Sequence, residues 1–338
     1  MTVLAGDIGG TKTFLALFVC EKGKNRLIKE EVFSSRRSPD FEGVLKEFLK
    51  GNKLPLRGAC FGVAGPVLQG RSETTNLPWT VDAGEIAHRF AIPSVALLND
   101  LEATAYGTLI LTEKDYFILN KGEPEIDSFE TAARGNRAVI SAGTGLGEVI
   151  LFWNGARYQP SASEGGHSDF APRTPLQVAL LEYLWREYPN VSYERILSGP
   201  GLFNIYRFLR EKGHGEEPPW LAERLAVEDP AAVVSEVALS GKADLCVKAL
   251  DLFVFVYGAE AGNLALKALA TGGIYLGGGI APKILQKLRD GTFMKAFVDK
   301  GRFSSLMSRI PVRIILNEKA ALLGAAYYAC RTELHNPA

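Results

Sequence analysis

The chain has 338 residues, 47% apolar and 22% charged, a globular balance that excludes a disordered tail or a fibre. Lysine plus arginine equals aspartate plus glutamate at 38 each, which leaves no cationic excess for a nucleic-acid backbone or an anionic membrane surface, so neither partner is expected. At roughly 150 residues per domain the length predicts two domains, with a cleft between them.

The first elements are short β-rich runs, Val3 to Ile8, Thr13 to Cys20 and Arg26 to Phe33, bounded by Gly, Lys and Asn as in a hairpin meander. Helical periodicity follows over Phe41 to Leu49, then an apolar strand over Gly58 to Ala64 and a helix near Asp82 to Phe90. Val95 to Leu98 is a continuous apolar run, typical of a strand buried on both faces. It ends in Asn99-Asp100 and passes directly into a helix-like segment, Leu101 to Leu109. Two polar side chains therefore stand where open α/β sheets place their ligands.

Lys121 to Arg137 reads as a surface connection. Beyond it the opening plan returns: Val139 to Ala142, a Gly/Thr turn over Gly143 to Gly147, and Val149 to Trp153 repeat the strand, turn and strand of Val3 to Phe18. This predicts an internal duplication with one copy per domain. After Pro175 the chain is mostly helical to about Ala270. A strand running into glycines follows over Gly273 to Gly279, then a strand at Val312 to Leu316 and a terminal helix from Lys319 to Cys330.

Cys20, Cys60, Cys246 and Cys330 are widely spaced and read as free buried thiols in a reducing compartment. With no basic and apolar leader before Val3, and no apolar run near the ~20 residues of a membrane span, a cytoplasmic protein is expected. His88, His214 and His335 have the context of helix surface or tail.

The chemistry concentrates in a few places. The two Gly/Thr hairpins can offer clustered backbone N–H groups to phosphate, because glycine permits close approach and positive φ. Neither is a P-loop or a dinucleotide fingerprint, because position 11 is threonine and Glu148 stands where the third glycine belongs. On this reading a valine at Gly10 or Gly145 weakens binding of the phosphate-bearing ligand and largely spares its co-substrate. Asp7, beside the first hairpin, suits a hydrated Mg²⁺, and equally a turn. Asp100 suits a general base for a phosphoryl acceptor, and equally a helix N-cap. Glu164-Gly165-Gly166-His167 sets an acceptor and an imidazole in a loop whose glycines oppose a helical metal site. Glu194 reads as a hydroxyl acceptor or as a partner of Arg195. Glu148 directly follows the second turn; an anion aimed at phosphate would weaken its binding, and strand alternation can turn it away.

Taken in order, Gly6-Asp7-Ile8-Gly9-Gly10-Thr11, Asn99-Asp100, Ala142-Gly143-Thr144-Gly145-Leu146-Gly147, Glu164-Gly165-Gly166-His167-x-Asp169-Phe170, Glu194-Arg195-Ile196-Leu197-Ser198-Gly199-Pro200-Gly201 and Gly277-Gly278-Gly279-Ile280-x-Pro282 resemble the bacterial glucokinases of the actin/hexokinase-like superfamily across nearly the whole chain. The resemblance implies an α/β, two-domain, ribonuclease-H-like fold. One domain is expected to comprise residues 1–110 with 318–338, and the other residues 111–317. It implies ATP-dependent phosphorylation of D-glucose to glucose 6-phosphate at the entry to glycolysis. Asp100 is then the base, with Asn99, Asp100, Glu164, His167 and Glu194 on the sugar. Gly6, Asp7, Ile8, Gly9, Gly10 and Thr11 form the first phosphate loop, Thr144 and Gly145 belong to the second, and Gly278 and Gly279 lie by the adenosine. Asp7 holds Mg²⁺ through water. A homodimer is expected, and no structural zinc, since Ser168-Asp169-Phe170 stands where zinc-bearing relatives carry cysteines. The rival readings are a kinase for another hexose or an N-acetylhexosamine, a polyphosphate-using enzyme, and a sugar-sensing regulator without catalysis.

Overall fold

The computed structural model describes residues 1–21, 24–74, 77–123 and 135–332; His335 and most of the Lys121 to Arg137 connection lie outside them. The chain divides into two compact units, Met1–Asp115 with Asn317–Ala338, and Tyr116–Leu316. The second is thus inserted into the first in sequence.

In the first unit, β1 (Thr2–Ile8), β2 (Lys12–Glu21), β3 (Lys24–Ser34), β4 (Leu56–Val63) and β7 (Val95–Asn99) form one sheet in the order β3-β2-β1-β4-β7, while β5 (Arg71–Glu73) and β6 (Thr80–Asp82) pair separately. β1 is antiparallel to β2 and parallel to β4, which is parallel to β7. Side chains alternate across a strand, so β1 and β2 serve two apolar layers at once. Leu4, Ile8, Leu15 and Leu17 pack with Phe41, Val44 and Phe48 of α1 (Phe41–Leu49). Val3, Ala5, Ala16 and Phe18 pack with the alanine-rich terminal helix, Ala320–Thr332. α1 starts where its sequence allows, the Asp40 carboxylate accepting the Gly43 N–H at 2.7 Å; α2 (Ala83–Phe90) is capped in the same way by Asp82.

The terminal helix also fixes α3 (Asp100–Gly107). A β-carbon on Gly324 would lie 1.8 Å from the Ala103 carbonyl oxygen, and one on Gly107 would lie 2.2 Å from that of Ala320. The two helices touch backbone to backbone, which requires both glycines. Cys20 of β2 and Cys330 of this helix form a disulfide, Cα to Cα 5.8 Å, across 310 positions of sequence. Their reading as free thiols is corrected here. Packing of the last helix on the first sheet brings them together, and no local spacing announces that. Cys60 and Cys246 are free and buried.

The second unit repeats the sheet. β9 (Arg137–Ala142), β10 (Leu146–Trp153), β11 (Tyr158–Ser163), β12 (Gly273–Gly277) and β13 (Val312–Ile315) take the order β11-β10-β9-β12-β13, and β8 (Tyr116–Asn120) adds an antiparallel edge. Pairing senses match strand for strand: antiparallel from β9 through β10 to β11, parallel from β9 through β12 to β13. Around the sheet lie mainly helices, including Gly199–Glu211 and the 25-residue Asp244–Ala268, which is buried along most of its length.

Candidate functional site

In the first unit the parallel strands β1, β4 and β7 end together, with Ile8 paired to Val63 and Val63 to Asn99. Asn99 is the N-cap of α3: its Oδ1 accepts the Leu101 N–H at 2.9 Å, and its Nδ2 donates to the Gly65 carbonyl at 3.0 Å. Three residues on, the Glu102 carboxylate accepts the Asn99 backbone N–H, which completes a capping box. The pattern Asn-x-x-Glu is visible in the sequence and went unread there. Asn99 therefore holds the capping role, and Asp100 stands at the first helical position.

The Asp100 carboxylate accepts the Leu101 N–H at 2.8 Å. Desolvation pushes its pKa up, and the backbone N–H groups of Leu101 and Asp100 partly counter this. Asp7, one residue from the end of β1, is raised to about 7 by desolvation first and by the Asp100 charge second. Between them runs β4, where a β-carbon on Gly62 would lie 3.0 Å from the Ala103 β-carbon and 3.6 Å from the Asp100 Cα. The missing side chain lets the N-terminus of α3 approach β1. Two hard oxygen donors that repel each other suit a divalent cation, which would relieve the repulsion. Among the described residues no group of three or more His, Cys, Asp or Glu could cage a metal, so a cation at Asp7 needs oxygens from substrate and water as well.

The turn between β1 and β2 is fixed from behind. The Gly9 N–H donates to Lys12 O at 3.0 Å, the Ser35 N–H donates to Thr11 O at 3.0 Å, and the Ser35 hydroxyl donates to Gly9 O at 2.7 Å. The Thr13 and Ser35 hydroxyls lie 2.9 Å apart, both buried. Ser35 carried no sequence signal, because its partners lie 22 to 26 positions away. Gly6 owes its identity to packing, since a β-carbon there would meet Phe61 at 2.6 Å. None of Gly9, Gly10, Gly143 and Gly145 has positive φ, so the conformational argument gives way to a steric one at Gly145 and, less severely, at Gly9, whose β-carbon would lie 3.0 Å from Lys12 O.

In the second unit, the Glu194 Oε2 accepts the Leu146 N–H at 2.9 Å, and a β-carbon on Gly145 would lie 2.5 Å from that oxygen. Glu194 therefore backs the second turn. Arg195 instead places its guanidinium 4.4 Å from the Tyr188 ring centroid. A side chain at Gly145 would therefore meet Glu194 first. The helix Gly199–Glu211 starts against the same turn: the Gly199 N–H donates to Gly143 O at 2.8 Å, and the Ser198 hydroxyl donates to Glu194 O at 2.7 Å.

Glu164-Gly165-Gly166-His167 forms a 3-10 turn over Gly165–His167. The glycines let it lie on β10: a β-carbon on Gly166 would be 1.9 Å from the Leu146 carbonyl oxygen, and one on Gly165 would be 2.3 Å from the Glu148 Oε2. Glu164 and His167 project outward, 81% and 58% exposed, with 4.0 Å between Oε2 and Nε2. This turn and the one bearing Glu194 are joined by the Tyr193 N–H to Ser168 O, 3.0 Å, and a β-bridge from Asp169 to Ser192. Thr144 is exposed at the tip of the second hairpin. Beside it, Gly278, at φ +80°, would carry a β-carbon 2.3 Å from Ala142 O, while Gly279 opens a short helix and faces open space. Glu148 is turned away from the hairpin tip into the interior and is 2% exposed. Burial and the neighbouring Glu260 raise its pKa to about 7.

Asp7, Asn99 and Asp100 are thus gathered in one unit, and Thr144, Gly145, Glu164, His167, Glu194, Gly278 and Gly279 in the other. The model of the glucokinase family matches residues 4–332. A glucokinase of Synechocystis sp. is 42% identical, over 97% of this chain and 98% of the relative, and one of Shigella dysenteriae is 32% identical over 98% of each. Among solved structures, a glucokinase from an Antarctic psychrotroph superposes with a TM-score of 0.85 at 29% identity, covering 98% of this chain and 99% of that one. A ROK family glucokinase from Streptomyces griseus, solved with glucose and AMPPNP, has the same fold, with a TM-score of 0.61 at 22% identity over 98% of this chain and all of its own. The fold is the two-part, ribonuclease-H-like architecture of the actin/hexokinase type, and the chain belongs to the glucokinase family.

Proposed function

We propose that the protein transfers the γ-phosphoryl group of ATP to the 6-hydroxyl of D-glucose, with Asp100 as the general base. The observation that carries this reading is the carboxyl of Asp100 at the end of β7, anchored by backbone N–H groups and pushed above the ordinary aspartate pKa by desolvation. Such a carboxylate is a stronger proton acceptor than an exposed one. As the sugar O6 attacks, its proton passes to Asp100, the bond from O6 to the γ-phosphorus forms, and the bond from that phosphorus to the β,γ-bridging oxygen breaks. ADP leaves with the electron pair.

Asn99 keeps a second amide hydrogen beyond the one given to Gly65, enough for one sugar oxygen. Glu164 and His167 offer an acceptor and an adaptable imidazole side by side. Glu194 uses one carboxylate oxygen on Leu146 and has the other for a hydroxyl. The phosphates fall to the turn from Gly6 to Thr11 and to Thr144 and Gly145, and the adenosine to Gly278 and Gly279. Asp7 would hold Mg²⁺, which when bound supplies positive charge to the phosphate oxygens. A cytoplasmic homodimer belongs to the same reading and rests on the family resemblance.

The test is Asp100→Asn in a coupled assay. A loss of about 10² to 10⁴-fold in kcat is expected with the fold intact, and near-normal kcat removes Asp100 from the mechanism. A sugar panel complements it, since a higher kcat/KM for N-acetylglucosamine than for glucose overturns the substrate.

A further inference from the structure

Glu148 and Glu260 are both carboxyl-bearing and both buried, at 2% and 0% exposure. Lys267, whose Nζ lies 3.3 Å from the Glu260 Oε1, compensates one negative charge. The Lys300 ammonium also faces Glu260, whereas Glu148 has only the Lys267 charge to offset its burial beside that carboxylate. As a carboxylate, Glu148 leaves its buried Oε1 without a partner, yet the Glu260 carboxyl lies close enough to share a proton with it. Both facts are met when Glu148 keeps its proton and donates it to Glu260.

The pair lies beneath the turns that bear the sugar-side residues. Glu148 packs its other oxygen, Oε2, under Gly165, and its backbone carbonyl accepts from the Ser163 hydroxyl at 2.9 Å, which in turn accepts the Gly165 N–H at 3.2 Å. Glu260 accepts from the Asn263 Nδ2 at 2.8 Å and from the Tyr193 hydroxyl. Asn263 also donates to that hydroxyl at 3.1 Å, and the Lys300 ammonium donates to the Asn263 Oδ1 at 2.5 Å. Tyr193 immediately precedes Glu194. We infer that Glu148, through its protonated pairing with Glu260, is a positioning residue for glucose, holding from below both the turn that carries Glu164 and His167 and the turn that carries Glu194. The inference rests on the reading that these three side chains bind the sugar.

The experiment compares wild-type enzyme with Glu148→Ala, Glu148→Gln, Tyr193→Phe and Glu164→Gln. It measures glucose affinity by calorimetry without nucleotide, and kcat and KM for glucose and for ATP. Gln has the shape of Glu and an N–H to replace the donated proton, so it should restore what Ala loses. Glu148→Ala should weaken glucose binding about 10-fold or more, as misplacement of several ligands at once does, with KM for ATP within twofold. Glu148→Gln should stay within about threefold of wild type, and Tyr193→Phe should weaken glucose in the same sense. If Glu148→Ala does not fold, the Gln and Phe variants decide: unchanged glucose affinity in Tyr193→Phe, or a Gln variant as impaired as a loss of the pair, overturns the inference. Equal losses toward ATP and glucose overturn it as well. Glu164→Gln separates the two levels, because unchanged glucose affinity there refutes the sugar-site reading itself, whereas a loss there with none in Glu148→Ala refutes the positioning role alone.

Discussion

Gly145→Ala adds one β-carbon at a place where the structure fixes its consequence. That carbon would lie 2.5 Å from the Glu194 Oε2 and 3.3 Å from its Cδ. The obstacle is the end of a side chain, so the carboxylate can swing aside, but in doing so it gives up the 2.9 Å bond from the Leu146 N–H. A hydrogen bond to a charged group contributes about 1.5 to 3 kcal/mol, or roughly 10- to 150-fold in an equilibrium constant. Since the displaced carboxylate is the one proposed for a sugar hydroxyl, most of that loss should fall on glucose, measured by calorimetry in the absence of nucleotide. Gly143→Ala is the control in the same turn: its β-carbon would meet nothing within 4 Å and should leave glucose affinity unchanged. Glucose affinity that survives Gly145→Ala, or falls equally in Gly143→Ala, would refute the reasoning.

Two further outcomes are expected from buried groups. The Glu148 carboxyl, held at about 7 in the folded chain against an ordinary 4.5, binds more protons folded than unfolded between those values, so stability falls as pH rises through that window. Glu148→Gln should flatten this slope and gain up to about 3 kcal/mol relative to wild type at pH 8 over pH 4, read from denaturant melts at the two pH values; parallel slopes would show that Glu148 does not retain its proton. Reducing Cys20–Cys330 should lower the thermal midpoint by an amount equivalent to at most about 5 kcal/mol, and the Cys330→Ser variant should match the reduced protein. A midpoint indifferent to reductant would show that the cross-link does not restrain unfolding.

What could be read from the chain alone was whatever local pattern encodes. The buried run Val95 to Leu98, ending in two polar residues, announced both β7 and the placement of Asn99 and Asp100, because a strand covered on both faces has few other ways to be written. The repeated Gly/Thr turns announced the matching sheets. Long-range partners were hidden. Cys20 and Cys330 meet across 310 positions, and Glu148 is buried against Glu260 of a distant helix, so neither pairing leaves a trace in periodicity or spacing. The glycines were legible as a set and misread in part: Gly145 and Gly165 make room for the carboxylates of Glu194 and Glu148, which depends on what packs behind them and not on φ. Glu102 was legible and overlooked, since Asn-x-x-Glu at a helix start is a local signature.

The terminal helix sets an order of events during synthesis. Leu322, Ala325, Ala326 and Ala329 cover the layer formed by Val3, Ala5, Ala16, Phe18 and Cys60, and they follow the whole inserted unit in sequence. Every strand and helix of the inserted unit, Tyr116–Leu316, has emerged before them, so that unit can fold while the first sheet still waits with one apolar face bare. Until the terminal helix emerges, α3, which bears Asp100, lacks its backing at Gly324. The inserted unit can thus fold before the first unit is complete.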